Sequence, residues 1–220
     1  MAKSFKRAGK VFGKISLDLI PVIIGILAAL LINDYRQKLQ EQKRQAILLN
    51  NLVDEFAKRR DELNNVIKYR QLPLLNTLEV YINNSEIPLR EIFQKAGGFG
   101  FPEVYVLSWE SALNSQDTKS LDFILLNSLS RITSNQQDIT SRTETIYDFL
   151  YSPGVTLYDS RPEAKELLDI MLNDFVESER TLISRYDEFI QLADSLYDGV
   201  TVDSIAVDSL AAEVDTVSSE

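Results

Sequence analysis

Asn33–Leu72 reads NDYRQKLQEQKRQAILLNNLVDEFAKRRDELNNVIKYRQL, a stretch with neither glycine nor proline. Leu49, Leu52, Phe56, Leu63 and Val66 recur in it at three- and four-residue spacing, with Arg59 and Arg70 as polar members of the same seam. That period belongs to a helix with one apolar side. The stretch predicts a single long helix, which Pro73 ends or kinks, because proline lacks an amide hydrogen and its ring clashes with the preceding turn.

Toward the amino terminus the pattern runs directly into Leu19–Ile32, LIPVIIGILAALLI, which carries no charge. Crossing a hydrocarbon core of ~30 Å takes roughly 20 helical residues. Counting from Val11 to Ile32 supplies about 33 Å of helix. Asp18 and Pro21 then fall in an interfacial first turn, where a carboxylate costs less than at mid-bilayer and an unpaired amide is no loss. Lys14 reaches back toward headgroups. We expect a transmembrane helix over residues 15–33, continuous with the helix that follows. Two alternatives stand beside it: a buried core helix of a soluble protein, and a cleaved signal peptide. No small-x-small cleavage site follows the apolar run, which disfavours the latter.

Residues 1–14 hold Lys3, Lys6, Arg7, Lys10 and Lys14 and no acid, against Arg36, Lys38, Lys43 and Arg44 just after the span. An excess of Lys and Arg marks the cytoplasmic side. The expected topology is a basic cytoplasmic tail (1–14), one span in a bacterial inner membrane, and a periplasmic domain. Phe5, Ala8, Phe12 and Ile15 recur at helical spacing in the tail, so membrane lipid is an expected partner.

Toward the carboxyl terminus, short helices are expected over Leu74–Asn83 and Pro88–Lys95, separated at Asn84-Ser85. The stretch Ala96–Val106, AGGFGFPEVYV, interrupts the helical pattern with three of the chain's eight glycines. Ser108 is placed to cap a short helix with Trp109 and Leu113. After the polar turn Asn114–Asp117, a second long helix is predicted from Ser120 to Tyr151, its seam being Leu125, Leu129, Ile132, Gln136, Ile139, Thr143, Ile146 and Leu150. Ser152-Pro153-Gly154 and Arg161-Pro162 bracket a loop holding Val155, Leu157 and Tyr158. A third long helix, Pro162–Tyr197, places Leu168, Met171, Phe175, Leu182, Phe189, Leu192 and Leu196 on one stripe. Gly199 is a plausible stop beyond its end.

Three helices with seams too polar to stand alone should pack antiparallel around one core. The expected fold is all-α: an N-terminal transmembrane helix continuing into a bundle of three long helices plus short ones over residues 34–197. Heptad spacing also permits a homo-oligomeric coiled coil, although polar seam positions at Arg59, Gln136 and Thr143 favour intramolecular packing. Residues 198–220 carry six acids and no base in near-pentads, DGVTV, DSIAV, DSLAA and EVDTV. A disordered acidic tail is the expectation, with a short linear motif as the alternative, since Val202, Ile205, Val207 and Leu210 exceed a spacer's needs.

Charge and composition exclude several functions. Residues 1–32 hold five of the 23 basic and one of the 33 acidic groups, leaving 18 against 32 in the remainder. That balance disfavours nucleic acid. The chain has no Cys and no His, which removes disulfides, thiolate nucleophiles, the commonest general base and the commonest transition-metal ligand. Gly97, Gly98 and Gly100 lack the rest of a phosphate loop, and no serine sits in a nucleophile elbow. Asp54-Glu55 and Asp61-Glu62 share a helix face, but bundle di-metal sites ordinarily use Glu-x-x-His ligands, and Lys58, Arg59 and Arg60 adjoin them. They read as a salt-laced surface. Neither catalytic, metal nor cofactor residues are expected. Phe99, Phe101, Tyr105 and Trp109 concentrate aromatics at the Gly-rich break and form the candidate interaction surface, with core packing as their ordinary explanation.

Two segments carry a resemblance. IIGILAALLINDYRQ (Ile23–Gln37) and SWESALNSQDTKSLDFILLNSLSRI (Ser108–Ile132) resemble a family of uncharacterised bacterial single-pass membrane proteins, whose anchor has an I-G-I-L-x-A-L core. The family shows glycine in the polar turn where this chain has Gln116-Asp117. The resemblance implies topology and no chemistry. The functional expectation is therefore a non-enzymatic interaction, sensory or scaffold protein with an unidentified protein partner. Two alternatives from other classes are a small-molecule binding module with a pocket near Phe99, Tyr105 and Trp109, and a carboxylate-based hydrolase.

Overall fold

The computed structural model describes residues 3–105, 109, 111, 121–152 and 160–197, with side chains from Pro21 onward. Expectations for Ser108, Leu113, the 114–117 turn, the loop residues Val155, Leu157 and Tyr158, and the 198–220 tail lie outside them, as do the side chains of residues 3–20. Among the described residues every regular element is helical and none is a strand. We label the helices α1 (Lys3–Val66), α2 (Leu72–Tyr81), α3 (Leu89–Ala96), α4 (Phe123–Leu150) and α5 (Pro162–Tyr197), with a five-residue π-turn, Ile67–Gln71, joining α1 to α2. The chain divides into two units, Met1–Gln45 and Ala46–Glu220.

In the first unit every residue from 21 to 42 is exposed, and Leu31 reaches 69%. Among the described residues no helix is long and apolar enough to cross a membrane. The described apolar run begins at Pro21 and meets Asn33 and Asp34, which leaves about 18 Å of helix against a core of ~30 Å. The expected span also draws on residues 15–20, whose side chains are not among those described.

The second unit is a helical bundle. Its core begins at Ala46, Leu49 and Leu52, continues through Phe56 and Leu63, and then passes to Ile67, Gln71, Leu74 and Leu78. This corrects the expected seam: Val66 is only half-buried and Arg70 is exposed. The π-turn is the cause. One extra residue in a turn rotates everything after it, so Ile67 and Gln71 face inward in place of Val66 and Arg70. The Leu72 amide donates to the Ile67 carbonyl across this wide turn, and Pro73 falls in the first turn of α2, where its missing amide hydrogen is tolerated. Pro73 therefore does not end the helical path: α2 follows the π-turn directly.

The α2–α3 connection turns at Asn84, whose side-chain oxygen accepts from the Glu86 amide. Helix α3 closes on Gly97 at φ +81°, with the Gly98 amide donating to the Phe93 carbonyl at 2.8 Å and Gly97 to Gln94. That double closure needs a left-handed residue, which glycine supplies without a Cβ clash. Helix α4 opens on Asp122, whose carboxylate accepts from the Ile124 amide at 2.8 Å, satisfying one amide that would otherwise lack a partner.

Helices α4 and α5 run antiparallel, as successive pairs show: Gln136 with Tyr186, Asp138 with Ser178, and Arg142 with Asp174. The segment from α1 through α2 is likewise antiparallel to α5, pairing Phe56 with Phe189, Arg60 with Asp187, Gln71 with Glu179, and the Tyr81 carbonyl with Lys165. Every expected α4 seam residue is buried or half-buried. On α5, Leu168, Phe175, Leu182 and Phe189 are buried as expected, whereas Met171 and Leu192 are half-buried and Leu196 is exposed. The true inward stripe passes through Lys165, Leu172, Val176, Glu179, Tyr186 and Ala193.

Candidate functional site

The glycine- and aromatic-rich segment from Gly97 to Tyr105 has no regular structure of its own. It is held by side chains from the elements around it. Arg70 donates to the Gly97 carbonyl at 3.1 Å and Gln71 to the Gly100 carbonyl at 3.0 Å. Gln136 donates to the Val104 carbonyl at 2.7 Å, and the Tyr186 hydroxyl lies 3.3 Å from the same oxygen. Arg59 reaches Glu103 at 3.3 Å. A segment without backbone ladder partners needs such substitutes, since its buried carbonyls cannot reach water. At Gly100 the approach is also steric: a Cβ there would lie 3.2 Å from Val66 and 3.3 Å from Arg70.

The expected aromatic group is divided by this anchoring. Phe99 and Phe101 meet edge-on with ring centres 4.7 Å apart, and both touch Phe175. Phe101 also lies 4.6 Å from Tyr147, which stacks toward Tyr151. Tyr105 is exposed and shares a 3.4 Å contact with Thr140. Trp109 is only 7% exposed and donates its indole N–H to Thr133 at 3.0 Å, so its place is in the core. Phe99 and Phe101 come together; Tyr105 and Trp109 do not join them.

Around Phe99 and Phe101 is an open groove of about 930 Å³, with Leu89 and Phe93 of α3 on one side and, on the other, Tyr147 and Leu150 of α4 and Tyr151 just beyond its end. Arg90 is its one charged lining residue, and among the described residues it makes no ion pair. Concave, mainly apolar sites with a few polar groups are the usual form of a ligand or peptide pocket. The α4 wall was missed in the sequence. Tyr147 and Tyr151 stand four apart, off the apolar seam, and such an exposed aromatic pair on a helix was the available signal.

Behind the loop lie two buried polar groups. Tyr186 stacks on Phe56 and bonds Gln136 at 3.1 Å; burial pushes its hydroxyl up to about 12, partly opposed by the Gln136 hydrogen bond and the Arg59 charge. Gln71 and Glu179, both fully buried, are joined by a 2.9 Å bond from Gln71 Nε2 to Glu179 Oε1. Burial pushes the Glu179 carboxyl up to about 8, with the Gln71 hydrogen bond working against it. Lys165 is also fully buried; its ammonium donates to the Tyr81 and Asn84 carbonyls at the end of α2. The carboxylates of α1 lie differently: Glu62 pairs with Arg59 and Lys58, and Asp61 with Arg60. Among the described residues no cluster of three metal-ligating side chains occurs.

No family model, no curated protein and no solved structure matches the chain.

Proposed function

We propose that the chain is a single-pass membrane protein whose helical domain works by binding a partner, not by catalysis. The observation that carries this reading is the exposure, on every side of α1, of the described part of the apolar run, residues 21–32. Val22, Ile24, Leu27, Leu30 and Ile32 are each more than half exposed, and contiguous apolar surface of this kind is costly in water. A bilayer receiving residues 15–33 would cover it. The five basic residues before the run support a cytoplasmic amino terminus and a periplasmic domain. The partner is a protein, with a second copy of the chain as one form it could take. The acidic balance of the domain speaks against nucleic acid.

Reporter fusions after Lys14 and after Gly199 test the topology. The expected result is cytoplasmic activity for the first and periplasmic activity for the second. A Gly199 fusion active only as a cytoplasmic reporter overturns it.

One observation favours a second reading, a small-molecule binding module. The groove beside Phe99 and Phe101 has the size and apolar lining of a ligand site. A metabolite that raises the melting temperature of the wild type but not of Phe101→Ala supports this reading; protein crosslinks that form only with an intact groove support the first.

A further inference from the structure

Gln71 Oε1 and Glu179 Oε2 are buried atoms without a hydrogen-bond partner. They belong to two side chains already joined through their other ends, Gln71 Nε2 to Glu179 Oε1, at 2.9 Å. Both residues are fully buried. An ionised carboxylate only accepts, so Oε2 and the amide oxygen would both stay without a donor; a protonated carboxyl has one O–H to donate. We propose that Glu179 is kept as the neutral acid and closes a two-bond ring with Gln71, making a proton-dependent latch on the loop that floors the aromatic groove.

The geometry connects the ring to the loop through one atom. Gln71 Nε2 donates both to Glu179 and to the Gly100 carbonyl, and Gly100 sits between Phe99 and Phe101. With the proton on Oε2, both orphaned atoms are satisfied and the Gln71 amide plane is fixed, so its second N–H stays aimed at Gly100. When the proton leaves for solvent, the carboxylate becomes an anion in a site of low polarity and Gln71 Oε1 loses its donor. A buried unpaired charge of this kind is relieved by admitting water or opening the site. The Gln71–Gly100 bond is then lost, and Phe99 and Phe101 lose their support.

The charged groups on the packed elements leave this proton unopposed. Arg70 on the π-turn is exposed and bonded to Gly97; Arg59 on α1 is engaged by Glu62 and Glu103, the latter from the loop. Arg142 on α4 pairs with Asp138 and Asp174, and Arg180 on α5 with Glu177. Among the described groups only burial and the Gln71 bond act on Glu179, and burial dominates, raising it to about 8. The latch is closed at neutral pH and releases as the pH passes that value. The inference stands apart from the reading of the groove as a binding site.

Glu179→Gln preserves both ring bonds, with an amide N–H in place of the acid O–H, and cannot titrate. The test uses the full chain in detergent micelles. Infrared difference spectra of wild type minus E179Q are expected to show a carboxylic-acid carbonyl band at about pH 6 that disappears with a midpoint near the value above. Melts of E179Q should be flat across the range where the wild type loses several degrees. Carboxylate bands alone at about pH 6, or an E179Q melting temperature that falls with pH as steeply as the wild type's, overturn the latch. Should E179Q fail to fold, the pH titration of the acid band in the wild type decides alone.

Discussion

The rings of Phe56 and Tyr186 stack with their centres 4.8 Å apart and their planes 18° from parallel, and the hydroxyl of the same tyrosine reaches the Val104 carbonyl at 3.3 Å. One side chain of α5 thus contacts the core of α1 with its face and the candidate site with its tip. Packing and loop position are coupled at this residue.

Phe56 is fully buried, with Tyr186 on one side and Phe189 edge-on at 5.0 Å. Phe56→Ala should cost about 3 to 5 kcal/mol, the range for deleting a core aromatic. Phe56→Leu should cost less, since it retains part of the volume. Urea melts of a fragment from Ala46 to Tyr197 measure both; equal losses would mean that the ring is not packed as described.

Tyr186→Phe keeps the stack and removes only the hydroxyl, leaving Val104 with the Gln136 bond. The expected loss of stability is about 0.5 to 1.5 kcal/mol. Hydrogen exchange should accelerate between residues 99 and 105 and remain unchanged in α2. Uniform acceleration along the chain would argue against a local tie.

Lys165→Met retains the apolar stem and removes the charge that holds the Tyr81 and Asn84 carbonyls. Orphaned buried acceptors cost roughly 1 to 3 kcal/mol, so the melting temperature should fall. Methionine that stabilises the fragment would show that ammonium burial outweighs its bonds to these carbonyls.

Tyr151 is 79% exposed, and Tyr151→Ser should leave stability within about 0.5 kcal/mol. Phe101→Ala, which vacates contacts to Phe99, Phe175 and Tyr147, should lower the melting temperature clearly. The contrast, read by circular dichroism melts, separates groove wall from groove support.

The long helices were legible because an apolar stripe at helical spacing has few other readings. Pro162 and Tyr197 bound α5 as expected, and the α4 seam from Leu125 to Leu150 needed no change. The errors cluster where a contact across the chain decides. Val66 and Arg70 were expected inside because ideal helical geometry puts them there; the π-turn exchanges them for Ile67 and Gln71. Nothing local announces such a turn. Glu179 and Lys165 drew no expectation from the sequence, because their partners, Gln71 and the Tyr81 and Asn84 carbonyls, lie far away along the chain. Phe99 and Phe101 were located by composition, whereas the separation of Trp109 from them depends on Thr133 of α4.

Membrane association of the full chain tests the central claim most directly. Membranes from cells expressing residues 1–220 and residues 46–220 should be washed in alkaline carbonate and floated on a density gradient. The full chain is expected to float with lipid after the wash, and the chain lacking residues 1–45 to remain at the bottom. Release of the full chain by carbonate, or equal flotation of both, would contradict an anchor at residues 15–33.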